Sequence, residues 1–260
     1  MVIYMIDVKT ANVLFLDGEY KRAVQMYLDG AREGDAECAF NYAYCLYRGI
    51  GVMTDLKAAK SFFAFARERV PEASYNLAVM YMHGAGVARN YRTAIEYMED
   101  AARAGVIEAE LYMGVAHTIG TVFEPDVVLI SKIPYHTAEY DSTPLIEGDV
   151  RDTEADEEDR IRAVRLDHKS AFEWFRVAAK HPSDYVEDMA RKSKYLYARC
   201  FIDGLGTDFN RDRGNALMLL AAKDGSEEAA YYLTTEAPYV LDKLDDTDFL
   251  ENIRKIERLG

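Results

Sequence analysis

Residues 73–105 read ASYNLAVMYMHGAGVARNYRTAIEYMEDAARAG. Two helix-like apolar patterns are joined there by HGAGVARN. Ala78 stands six residues before Gly84, and Ala94 stands seven before Ala101. Seven residues make two helical turns, so Ala94 and Ala101 share one face of a helix. A similar G-x-G turn stands at 47–52 (YRGIGV) and at 202–207 (IDGLGT). A phosphate-cradling loop needs a strand before it, and a third glycine or a G-K-[ST] after it. These turns have neither, and each follows a helical pattern. They read as helix terminators, because glycine takes the left-handed conformation without a Cβ clash.

The turn belongs to a unit about 36 residues long. Gly49, Gly51 and Val52 recur as Gly84, Gly86 and Val87, and Gly84, Gly86 and Gly105 recur as Gly204, Gly206 and Gly225. A first helix carries a small residue six before its terminal glycine: Ala43, Ala78, Gly114 and Ala198. A second helix carries one at Ala23, Ala59, Ala94, Ala171 and Gly214, and another seven later at Gly30, Ala66, Ala101, Ala178 and Ala221. Small residues let paired helices approach closely. Tyr42, Leu77, Met113 and Tyr197 on first helices, with Phe62, Tyr97, Trp174 and Leu217 on second helices, are expected to fill the gaps between pairs. Asp55, Asn90, Asp167 and Asn210 are expected N-caps, with Ser170–Glu173 a competing capping box before the fourth second helix.

This pattern resembles the Sel-one-like repeat, a relative of the tetratricopeptide repeat. Residues 36–71, 107–120 with 167–181, and 193–225 resemble it in turn, and 12–34 look like an ordinary tetratricopeptide hairpin. The resemblance implies an all-α fold, a right-handed α-solenoid of antiparallel helix pairs that serves as a scaffold for other proteins. It implies no cofactor and no fixed catalytic residues. Residues 1–237 are expected to form the solenoid. Residues 238–260 are expected to add a C-terminal helix with Phe249, Leu250, Ile253, Ile256 and Leu259 on one face, either closing the last repeat or docking a partner.

The third repeat departs from the pattern. Ten residues separate Gly84 from Ala94, but fifty-one separate Gly120 from Ala171. About forty residues, within 121–166, are inserted at the tip of a helix hairpin, and loops that long are usually functional or disordered. The β-branched run at 127–130 reads as a short hairpin or as a segment lying on the solenoid. Over 121–160, twelve Asp or Glu face three Lys or Arg, a net charge of -9 within a chain total of -14. The acidic run around Asp156, Glu157 and Glu158 reads either as a solvated helix start capped by Thr153 or as a contact surface for a basic partner. A calcium loop is disfavoured, since the spacing and the glycine of D-x-D-x-D-G are absent.

The acidic balance argues against nucleic acid and anionic membrane as partners. No apolar run reaches the ~18 uncharged residues of a membrane span, and the N-terminus lacks the marks of a signal peptide. Cys38 and Cys45, seven apart on one helix, are roughly 10 Å apart and too distant to bridge. A reduced, cytoplasmic protein is expected. His83, His117, His136, His168 and His181 form no metal or nucleophile motif. His117 falls where Tyr81 and Phe201 stand in other copies, and a packed role is expected of it.

In the implied architecture, first helices line the concave face, and positions there are expected to be exposed without having to be polar. Aligned copies put Phe40, Tyr75, Leu111 and Tyr195 in one row; Tyr44, Val79, Val115 and Arg199 in a second; Arg48, His83 and Asp203 in a third. Tyr and Arg dominate binding hot spots. The candidate partner-binding residues are therefore Tyr44, Arg48, Tyr75, His83, Tyr195 and Arg199, with Asp156, Glu157 and Glu158 on the insert. Phe40, Tyr75 and Leu111 either face a partner or pack between repeats. The expected function is a scaffold for a protein or peptide. The alternative is an enzyme or small-molecule site between insert and groove, using His117 or His136.

Overall fold

The computed structural model of the chain describes residues 7–123, 154–182 and 187–243. Among them all regular structure is helical, twelve α-helices and one 3-10 helix. The short hairpin considered for 127–130, and the tail from 244, lie outside the described residues.

The chain divides into two compact units. Unit 1 holds α1 (Val8–Leu16), α2 (Tyr20–Arg32), α3 (Ala36–Arg48), α4 (Leu56–Ala66), α5 (Glu72–His83), α6 (Tyr91–Arg103) and α8 (Glu154–Ala163). Unit 2 holds α7 (Ile107–Ile119), α9 (His168–Ala178), α10 (Glu187–Asp203), α11 (Arg211–Lys223), α12 (Glu227–Thr235) and the 3-10 helix Pro238–Lys243.

Sequence neighbours pair as α1/α2, α3/α4, α5/α6 and α10/α11, while α7 pairs with α9 across the insert. The periodic small residues lie in those seams. Ala43, Ala78, Ala198, Ala23, Ala59, Ala94, Ala171, Ala66, Ala101, Ala178 and Ala221 are all fully buried. At Gly114 the approach is closest, for a Cβ there would collide with the Phe175 ring.

The second helices after α2 start at local caps. Asp55 accepts from the Ala58 N–H at 2.9 Å, Asn90 from Thr93 at 2.9 Å and Asn210 from Arg213 at 3.0 Å. Asp167, not Ser170, caps α9: it accepts the N–H groups of Lys169 and Ser170, and the Ser170 hydroxyl donates to it as well. An N-cap of this kind is worth about 1 kcal/mol.

The G-x-G turn has two separate causes. Gly84 closes α5 in the left-handed region at φ 72°. Gly86 also has positive φ, and a Cβ on it would lie 2.7 Å from the backbone of Leu56, the first residue of α4. Gly51 meets Tyr20 of α2, and Gly206 meets His168 of α9, in the same manner. The first glycine ends its helix; the second lets the turn seat on the preceding second helix.

Both ends of the described chain are tied by a buried asparagine. In unit 1, Asn12 Oδ1 accepts from Tyr27 Oη at 2.7 Å and from Asn41 Nδ2 at 3.1 Å. In unit 2, Asn215 Oδ1 accepts from Tyr232 Oη at 3.2 Å, and Asn215 Nδ2 donates to Tyr239 Oη at 3.0 Å. Groups buried this deeply require such partners.

One packing expectation shifts by a residue. Leu77 and Met113 are fully buried as expected, but Phe62, Tyr97, Trp174 and Leu217 are only half-buried. The deepest position of the second helix is the next one: Phe63, Met98, Phe175 and Met218. Phe63 stacks edge-on against Phe40 at 5.4 Å, whereas Phe62 meets Tyr42 at 4.9 Å nearer the surface. Full burial of such a side chain contributes about 1.5–3 kcal/mol.

Candidate functional site

The candidate residues are divided between the units. In unit 1, α3 carries Tyr44 and Arg48, α5 carries Tyr75 and His83, and α8 carries the acidic residues. In unit 2, α10 carries Tyr195 and Arg199.

The expected exposure of the first-helix rows needs correction. Tyr44 is 1% exposed, Tyr75 2% and His83 3%. Phe40 and Leu111 are buried too, which fits packing between repeats. A first helix has neighbours on both flanks: α3 lies between α2 and α4, and α5 between α4 and α6. Little of its circumference reaches solvent. Burial also raises the Tyr44 phenol above its usual range, with Arg48 opposing. Arg48 itself is half-buried.

Unit 2 presents its row more openly. Tyr195, Arg199 and Asp203 stand four residues apart on α10, one above another. Arg199 holds Asp203 through two hydrogen bonds, Nε to Oδ2 at 2.9 Å and Nη2 to Oδ1 at 3.2 Å. Its guanidinium also lies 5.8 Å from the Tyr232 ring. The fork-shaped pair fixes Arg199 in one orientation, with Tyr195 half-exposed one turn before it. The i, i+4 spacing of Arg199 and Asp203 was the signal for this pair.

The acidic helix α8 is mounted on unit 1. It packs against α6, and the Arg160 guanidinium lies 5.0 Å from the Tyr91 ring. The Val122 N–H donates to the Arg160 carbonyl at 3.4 Å. Glu157 and Glu158 are exposed, and Arg162 donates to Glu158 at 2.9 Å one turn on. The side chain of Asp156 and the proposed cap Thr153 lie outside the described residues, as does His136.

His117 has a structural task. Its Nδ1 donates to the Arg165 carbonyl at 3.0 Å, and its own carbonyl accepts from the Asp167 N–H at 3.0 Å. Two hydrogen bonds therefore clamp the returning chain to the end of α7.

One pair had no signal in the sequence. Glu110 on α7 is 1% exposed, and its Oε2 lies 3.0 Å from Nε2 of His181, beyond α9. The contact is near enough for an ion pair but poorly directed for a hydrogen bond. Burial pushes the Glu110 carboxyl above the usual carboxylate range, and His181 opposes that rise.

Comparison with known proteins accounts for the repeat. The model of the Sel1 repeat matches residues 36–69, 71–106, 161–183 and 192–226. The third match covers α9 without α7, because the insert splits that copy. A Sel1 repeat protein from Oxalobacter formigenes superposes with a TM-score of 0.64 at 18% identity, covering 87% of this chain and 74% of that one. That likeness establishes the helical-repeat solenoid fold. A putative Sel1 repeat protein from Klebsiella pneumoniae subsp. pneumoniae matches at 16% identity with a TM-score of 0.41, covering 88% of this chain and 89% of its own. A protective antigen of uropathogenic Escherichia coli strains, displaying an SLR fold, matches at 17% with a TM-score of 0.40, covering 95% and 59%. No curated protein matches the chain.

Proposed function

The chain carries four Sel1 repeats, and from that premise we propose that it is a protein-interaction scaffold, binding a protein or peptide and running no reaction of its own. One observation carries the reading. The residues that recur from copy to copy serve the hairpin itself: seam alanines, N-caps and turn glycines. The outward rows of the first helices change from copy to copy, in identity and in depth. Half-exposed Arg199 stands where other copies have buried Tyr44, buried Val79 and half-buried Val115. Invariant scaffolding with a variable surface suits recognition of a particular partner rather than a shared reaction.

Two surfaces support partner binding. Tyr195 and Arg199 offer an oriented aromatic and cation, and Arg48 is a half-buried cation on α3 of unit 1. Glu157 and Glu158, with Asp156 beside them in sequence, offer negative charge to a basic partner. Tyr44, Tyr75 and His83 are buried and take no part in either surface. No helix among the described residues is long and apolar enough to cross a membrane. Three buried free thiols fit a reducing compartment, and we assign the protein to the cytoplasm.

The test is a crosslinking capture from native lysate with purified chain as bait. Tyr195→Ala/Arg199→Ala and Glu157→Lys/Glu158→Lys are compared with the parent, each checked by circular dichroism. Loss of one specific partner in either folded variant supports the scaffold and says which surface recognises it. A parent chain that captures no specific protein overturns the reading.

A further inference from the structure

A cavity of about 470 Å³ opens in unit 2 between α9 and α11, with α10 as its floor. Its charge runs against the composition of the chain. Among the described residues, Arg176, Lys180, Lys194, Arg213 and Lys223 line it against one carboxylate, Asp224. This gathering of cations stands in a chain of net charge -14.

Two of the five are already paired. Lys194 contacts Asp224, and Arg176 donates to Glu173. Among the described residues, Lys180, Arg213 and Lys223 pair with no carboxylate. Arg213 is nonetheless held in place. Its guanidinium sits 4.4 Å from the Phe201 ring and near enough to the Tyr197 phenol to oppose the rise that burial causes there. A fixed guanidinium presents its remaining donors without further ordering cost. Cations gathered in a concave site raise the local potential, which an anion relieves.

Apart from His181, which already faces Glu110, the remaining lining is apolar, chiefly Leu217, Leu220, Ala221 and the Tyr197 ring. Such a wall gives a bare inorganic ion nothing to contact, but it fits a ligand with a carbon body. The volume falls inside the range of roughly 300–1,000 Å³ seen for small-molecule sites. We propose that this cavity binds a small organic polyanion, either phosphorylated or multiply carboxylated. Lys180, Arg213 and Lys223 take its charged groups, and Leu217, Leu220 and Tyr197 take its body. This site is independent of the scaffold reading and of the surfaces argued for it.

The test is isothermal titration of the full chain at low salt with ADP, with citrate and with a hexaglutamate peptide. One-to-one binding of ADP or citrate is expected. Affinity should fall about tenfold or more in Lys180→Glu/Lys223→Glu, and clearly in Arg213→Gln. All three positions are exposed, so the variants should fold, and thermal melts check this. A control, Lys21→Glu/Lys57→Glu, changes two exposed lysines of unit 1 and should leave affinity within about twofold. ADP binding without citrate points to phosphate as the recognised group, and the reverse points to carboxylates. The proposal is overturned if neither small anion binds, if the control weakens binding as much as the cavity variant, or if hexaglutamate alone binds.

Discussion

Glu110 and His181 stand 71 positions apart in the chain, yet Oε2 of the one lies 3.0 Å from Nε2 of the other in unit 2. The carboxylate is almost fully enclosed, and the imidazole is one-fifth exposed. Burial outweighs the attraction of the histidine, so the carboxyl binds its proton more tightly in the folded chain than at its ordinary value of 4.5. Between 4.5 and that raised value, the folded state holds more protons than the unfolded state. Stability contributed by Glu110 is therefore full below 4.5 and is lost as pH rises through the folded value.

Glu110→Gln should remove that dependence. Urea denaturation of parent and variant at steps from pH 4.5 to 7 is the measurement. The difference in stability, variant minus parent, should grow with pH over the window. A difference that stays flat would mean the carboxylate is compensated in full by His181.

The two turn glycines of one repeat predict different penalties from similar substitutions. Gly86 combines φ 69° with a Cβ position 2.7 Å from Leu56 backbone, so Gly86→Ala should cost about 2 kcal/mol or more. Gly105 has φ 88° but nothing within 4 Å of its Cβ position, so Gly105→Ala should cost only about 1 kcal/mol. Denaturation midpoints of the two variants give the comparison directly. Equal costs would show that turn conformation alone, without the contact on α4, sets the requirement.

Neighbouring phenylalanines on α4 offer a test of packing depth. Phe63 is fully buried against Phe40, and Phe63→Ala should cost about 3–5 kcal/mol. Phe62 is half-buried beside Tyr42, and Phe62→Ala should cost less than half as much. Thermal melts suffice to rank them.

The thiols should be silent in the folded chain. Cys38, Cys45 and Cys200 are fully buried, and burial pushes each thiol up to about 12. At pH 8 the nucleophilic thiolate is then a trace species with no access for reagent. Titration with a disulfide reagent should find no reactive thiol in native protein and three after denaturation. One fast-reacting thiol in the native state would expose an opening in α3 or α10.

What was legible in the sequence lies at short range. The N-caps Asp55, Asn90, Asp167 and Asn210 act within three residues, and backbone geometry alone sets that reach. The seam residues from Ala23 to Ala221 follow a helical period, so their common burial was readable from spacing. Gly84 was readable as a helix stop. The role of Gly86 was not, since its constraint comes from Leu56 thirty residues earlier. Spacing also named the candidate rows on α3, α5 and α10, but not their exposure. Tyr44 and Tyr75 disappear because helices from adjacent pairs flank them, while Tyr195 and Arg199 remain partly open. The Glu110–His181 contact and the basic cavity join α7 to the segment after α9, and α9 to α10 and α11. Local periodicity thus determined which helices form, how they end and which stripe each buries. Which side chains meet across helices, and what charge they gather, was decided only by tertiary packing, because those contacts depend on relative helix positions that no local spacing encodes.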